Sequence, residues 1–227
     1  MGKLVFAGGD YFIPLLRTFG DSELYGLYPA EVQTVINADI KARMLADVVD
    51  GEITHRAGCH AAYAIRDILN SENEEAFALL DPYVADRIRN FLPAYLIDNL
   101  KNLAMVVLCL DKIKPNGILV HNDVEPITRT AALWARERGV PCLHIPHAVY
   151  LEQRNRAPIG ADVHDICTAT HLAVAGWFQR QWYEERGFKA ENICEIGVPK
   201  LDKFCVLKTE KDRVYSIFKI NPQFVTV

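Results

Sequence analysis

The chain has 227 residues, half of them apolar and 24% charged, which is the composition of one large globular domain or a domain with a short appendage. A formal net charge of −4 gives no broad basic face, so a dedicated nucleic-acid-binding role is disfavoured. A core of this size needs neither disulfides nor structural metal.

LVFA (4–7) reads as a buried strand that ends in a turn, Gly8-Gly9-Asp10. Tyr11 to Leu16 could begin a helix, and Gly20, Gly26 and Pro29 break the stretch after it. Pro29 and Glu31 open a helix expected to reach about Val49, with Val32, Val35, Ile36, Ile40, Met44 and Val48 near helical spacing and Asp50-Gly51 ending it. A further helix is expected over 58–69. Ser71 with Glu74 fits a capping box for the next segment, and 83–112 reads as mainly helical with an interruption at Pro93.

The second half is plainer. ILVH (118–121) is a strand closed by Asn122-Asp123, and Pro126 starts a helix that Gly139 stops. CLHI (142–145) is the next strand, followed by a polar loop with Pro146, His147, Glu152, Arg154 and Arg156. HLAVAG (171–176) is a strand, 177–186 an amphipathic helix capped by Gly187, and ICEIG (193–197) a strand. Alternating strands and helices at this spacing imply parallel strands with right-handed crossovers. The fold class is therefore α/β, a Rossmann-like open parallel sheet with helices on both faces and extra helices in the first hundred residues. In such sheets ligands bind beyond the carboxyl ends of the strands, and that rule selects the residues to watch.

The six cysteines form no CxxC pair, and four of them (Cys109, Cys142, Cys167 and Cys194) lie in apolar runs. They read as reduced, mostly buried thiols of a cytoplasmic protein. The N-terminus lacks the pattern of a signal peptide, and LAMVVLCL (103–110) is too short for a membrane span, so no transmembrane segment is expected. No zinc-like ligand spacing, Walker A lysine, GxGxxG or GxSxG motif occurs, so no metal site is assigned.

Residues 118–202 resemble the N-terminal domain of the GT-B superfamily, in particular the UDP-N-acetylglucosamine 2-epimerases and the capsule- or teichoic-acid-type transferases. ILVHND, a helix and GVPCLHIPHAV resemble the strand ending His-x-Asp, the helix and the His-bearing strand of the epimerases. LAVAGWFQRQWYEERGFKAENICEIGVPKLD resembles the run that ends in Gly-x-Pro-x-x-Asp before the linker to the second domain. The epimerases carry a Glu after the second strand where this chain has Pro146-His147, which counts against epimerase chemistry.

The resemblance implies residues 1–205 as an acceptor-side domain and 206–227 as a linker and the beginning of a second, donor-binding domain. The implied activity is that of a glycosyltransferase or glycerophosphotransferase using a nucleotide-sugar donor held mainly by that second domain. No cofactor is expected in the first domain, and the isolated chain is expected to be inactive. The partner is a small-molecule or glycan acceptor, and a homo-oligomer is compatible with these features. A 2-epimerase-like enzyme and a non-catalytic binding or scaffold domain are the alternatives. His147 is the expected general base, with Asp123 and His121 in support. Gly8, Gly9, Asp10, Glu152, Arg154, Gly176 and Gly197 are the expected substrate-binding residues, the arginine suiting an anionic acceptor. His144 is expected to point into the core or to the opposite face.

Overall fold

In the computed structural model, residues 2–70, 81–122, 125–146 and 167–197 are described. Seven strands form one parallel sheet in the order β3-β2-β1-β4-β5-β6-β7. They are β1 (Lys3–Ala7), β2 (Glu23–Gly26), β3 (Arg43–Met44), β4 (Gly117–Val120), β5 (Cys142–His144), β6 (His171–Val174) and β7 (Ile193–Glu195). The chain starts at the centre, steps outward to β3, returns to the other side of β1 and steps outward again to β7. This doubly wound order is Rossmann-like, and the direction reverses between β1 and β4.

Right-handed crossovers then assign the helices to faces. Helices α1 (Gly9–Leu16) and α2 (Pro29–Asn37) cover one face, packing Phe12, Leu16, Val32 and Val35 onto Leu4, Phe6 and Leu119. Helices α3 (Gly51–Asn70), α4 (Pro82–Ile113) and α5 (Pro126–Arg138) cover the other, against Val5, Ala7, Ile118, Val120 and Cys142. The alternation of strand residues between the two cores is the period-2 pleat. Val120 pairs with His144 and His144 with Leu172, so the core under α6 (Trp177–Glu185), with Trp182 and Tyr183, lies on the same face as α5.

Several expectations are corrected. The helix expected from Pro29 to Val49 ends at Asn37. Asp39 takes a left-handed φ of 61°, and the Ile40 amide bonds back to the Val35 carbonyl at 3.3 Å, a Schellman-type stop. The apolar residues beyond it serve β3 and a 3-10 turn, Leu45–Val48. Gly51 opens α3 instead of ending a helix, and Asp50 Oδ1 accepts the Ile53 amide at 2.9 Å. The strand β2 has no counterpart among the elements expected from the sequence. Pro93 does not interrupt α4, which runs for 32 residues. It removes one backbone donor without ending the helix, which packs along α3.

The start and stop signals of α5 and α6 act as expected. Gly139 (φ 66°) and Gly187 (φ 85°) end them, with the amide of the residue after each glycine, Val140 and Phe188, bonding back to Ala135 and Tyr183. Cys109 and Cys142 are buried and Cys167 partly so, but Cys194 is exposed, because it points away from the Ile193 side of β7. Within α4, Asn90–Ile113 is long and apolar enough to cross a membrane by length and composition, a longer stretch than the run noted in the sequence. Its carboxyl-terminal end, with Leu108, Leu110 and Ile113, is part of the sheet-facing core. The capping box at Ser71 and the linker and second domain assigned to 206–227 lie outside the described residues.

Candidate functional site at the topological switch point

The carboxyl ends of β1 and β4 lie side by side where the strand order reverses, with Ala7 opposite Val120. The chain leaves β1 through Gly8 and Gly9, at φ 145° and 31°. A Cβ on Gly8 would meet the Phe12 ring at 2.6 Å and His121 Cβ at 3.0 Å. Only glycine lets α1 start this close to β4. A Cβ on Gly9 would touch Glu31 at 3.5 Å, so this turn is pressed against the first turn of α2. The room that the two glycines leave is thus taken by Phe12, His121 and Glu31. Asp10, next in line, is exposed.

His121, one residue past β4, is fixed at both ring nitrogens. Nδ1 lies 2.8 Å from the Ala7 carbonyl, and Nε2 lies 3.0 Å from Asn122 Nδ2. Asn122 is buried, and its Oδ1 accepts from the Glu125 amide at 3.2 Å and from Thr128 Oγ1 at 3.1 Å, which fixes its amide orientation. The hydrogen-bond pattern therefore places the imidazole proton on Nδ1, donated to Ala7. His144 is buried behind this layer, as expected, its Nε2 donating to the His121 carbonyl at 3.2 Å.

Two further side chains complete the crevice. Tyr28, just before α2, donates its hydroxyl to Glu125 Oε2 at 2.7 Å. Burial and then this carboxylate hold the phenol well above its usual range. Glu31 reaches back toward β1 and β4 with its side chain 18% exposed, Oε1 lying 3.8 Å from His121 Nδ1. Burial pushes its carboxyl up to about 7, against a lowering bond from the Gly8 amide, and the like charges of Glu125 and Asp10 push the same way as burial. Its Oε2 is enclosed with no hydrogen-bond partner. The groups acting on Glu31 are thus the Gly8 amide, two acids and one imidazole.

Of the residues expected from sequence, the fold brings Gly8, Gly9, Asp10 and His121 to this crevice. Gly176 and Gly197 follow β6 and β7 on the same edge of the sheet, with open space at the positions a Cβ would take. Asp123, His147, Glu152 and Arg154 lie outside the described residues. Glu31, Tyr28, Asn122 and Glu125 were missed. The signal for Glu31 was its place in the first helical turn after a strand, and it was hidden because β2 was not recognised. Two cavities, of about 970 and 690 Å³, open at the amino ends of the strands, around Arg17, Glu23 and Arg43 and around Lys3, Gly117 and His171. That is the edge opposite the switch point. Among the described residues no group of three or more His, Cys, Asp or Glu could hold a metal ion.

Sheet order and crevice together define a Rossmann-like α/β domain with an acidic switch point. Its architecture is similar to that of the UDP-GlcNAc 2-epimerase from Neisseria meningitidis bound to UDP-GlcNAc. That likeness has 15% identity and a TM-score of 0.49, over 97% of this chain and 55% of that one. It is also similar to the UDP-N-acetylglucosamine 2-epimerase from Rickettsia bellii, with 16% identity and a TM-score of 0.46, over 97% of this chain and 51% of that one. The chain spans about half the length of these structures. No family model and no curated protein matches. At this identity the likeness concerns the fold alone.

Proposed function

We propose that this chain forms the acceptor-side, N-terminal half of a GT-B-like enzyme that uses a nucleotide-activated sugar or glycerol donor. The acceptor hydroxyl is seated between the ends of β1 and β4. The observation that carries this reading is the acidity of the switch-point crevice, where Asp10 and Glu125 act on Glu31 and Glu31 lies beside His121. Carboxyl groups accept hydrogen bonds from sugar hydroxyls, and their field disfavours a diphosphate at the same place. A donor nucleotide is then better held by a second domain. In this reading His147 takes the hydroxyl proton, with Asp123 and His121 in support. Glu152 and Arg154 address the acceptor, and Gly176 and Gly197 line the cleft. The reaction joins the acceptor oxygen to the donor carbon or phosphorus. The bond from that atom to the nucleotide's phosphate oxygen breaks, and the nucleotide leaves with the electron pair.

The test is a thermal-shift titration with separate panels of nucleotides, nucleotide sugars and acceptor sugars. A ligand at 100 times its dissociation constant stabilises the fold by about 2.7 kcal/mol. Stabilisation by acceptor sugars, reduced in Asp10→Asn, is expected. A chain stabilised by free nucleotides and indifferent to every sugar overturns the reading.

A further inference from the structure

The His121 Nδ1 proton has two acceptors near it, the Ala7 carbonyl at 2.8 Å and Glu31 Oε1 at 3.8 Å. Which one holds it depends on the charge of Glu31. A neutral carboxyl is a weaker acceptor than a peptide carbonyl already in place, whereas a carboxylate makes a charge-assisted bond roughly twice as strong as a neutral one. Burial and the acids facing Glu31 favour the neutral form. Asp10 on α1 and Glu125 ahead of α5 are both acidic, and Tyr28 beside it is committed to Glu125. Oε2 is enclosed without a partner, which is costly for a carboxylate and less so for a carboxyl that keeps its own proton. The Gly8 amide is the group that stabilises the charged form, and burial outweighs it. Phe12 packs against Gly8 from the other side and contributes no charge.

We propose that Glu31 and His121 form a proton-operated latch at the switch point. With Glu31 protonated, His121 closes the end of β1 by bonding to the Ala7 carbonyl. When Glu31 releases its proton to solvent, the imidazole Nδ1–H turns to the carboxylate and frees the Ala7 carbonyl as an acceptor on the ligand-binding edge. The Nδ1 proton changes partner without being transferred. The ligand that benefits is one presenting an O–H or N–H donor over the β1 end. Use of the latch by a sugar hydroxyl rests on the function proposed above. The latch itself is read on the chain without ligand, so failure of one is distinguishable from failure of the other.

The experiment is a pH titration, from pH 5 to 9, of the full chain labelled with 13C and 15N. It follows the Glu31 carboxyl carbon, the Ala7 carbonyl carbon and the two His121 ring nitrogens. The three sites are expected to shift together with one midpoint near 7. Nδ1 should carry its proton on both sides of that midpoint, and the His144 ring should stay unchanged. In Glu31→Gln the pH-dependent shifts of Ala7 and His121 should be lost. In Glu31→Asp, one methylene shorter, the coupling to His121 should also be lost while an acid remains at position 31. The latch is overturned if Glu31 titrates near the ordinary carboxylate value. It is equally overturned if Glu31 titrates near neutrality while Ala7 and His121 do not respond. The wild-type titration decides both points even if a variant does not fold.

Discussion

His121 Nδ1 hydrogen-bonds to the Ala7 carbonyl at 2.8 Å, so a side chain at the end of β4 closes the end of β1 across the switch point. The same ring accepts from the amide of buried Asn122. His121→Ala therefore leaves a carbonyl and an amide without their partner. Unmet groups of this kind cost about 1–3 kcal/mol. Urea unfolding should show that loss in the midpoint with an unchanged slope. A change under about 0.5 kcal/mol would mean that water replaces the imidazole at no cost.

Glu31 makes stability fall with rising pH. Its folded value of about 7 lies above the ordinary 4.5, so the folded protein keeps a proton that the unfolded chain releases between those values. The contribution is fully present below 4.5 and lost as pH rises through 7. The difference is on the order of 3 kcal/mol at 1.36 kcal/mol per pH unit. Glu31→Gln should be close to wild type at pH 5 and more stable at pH 8. Equal pH profiles for the two proteins would exclude this account.

Two glycines with positive φ should differ sharply in tolerance. Gly139 has φ 66° and open space around its missing Cβ, so Gly139→Ala should cost about 1–2 kcal/mol of backbone strain alone. Gly8 combines φ 145° with a 2.6 Å approach of Phe12, so Gly8→Ala should cost roughly 2–4 kcal/mol as strain and overpacking combine. Chemical denaturation of both variants tests the ranking. A reversed order would mean that Phe12 is free to move.

Asp111 at the end of α4 ties the helix to α5. Its Oδ1 accepts from Trp134 Nε1 at 2.9 Å and lies 2.9 Å from Arg138 Nε. Asp111→Ala strands the N–H of a buried indole and should cost about 1–3 kcal/mol. Asp111→Asn keeps an acceptor and should cost under about 1 kcal/mol, as the exposed ion pair contributes little. The two melting temperatures separate the hydrogen bond from the charge.

Trp177 is 68% exposed at the carboxyl edge of the sheet, whereas Trp134 and Trp182 are 4% and 9% exposed. Acrylamide should quench mainly Trp177, and Trp177→Phe should shift the remaining emission to the blue. A Trp177→Phe protein quenched as strongly as wild type would contradict this exposure.

The unit β4-α5-β5 was legible because its signals are local. Pro126 presets the first helical turn, Gly139 supplies the left-handed stop, and short apolar runs on either side can only be buried strands. For the same reason Gly8-Gly9-Asp10 and His121 could be named as strand-end residues. The strands β2 and β3 were not legible. They have four and two residues, and Ile40 and Met44 keep a helical spacing that the turn at Asp39 overrides.

The sequence by itself determined the fold class, the parallel crossovers and where several of the strands end. Periodicity, glycine and proline act over a few residues and need no partner. Only the tertiary structure decided that Glu31 meets His121. Those residues are 90 positions apart, and their approach depends on strand order, on the start of α2 and on the two glycines that let β1, α2 and β4 close on one another. The same long-range enclosure sets the proton affinity of Glu31, because burial and neighbouring charge belong to the assembled crevice and not to the residue.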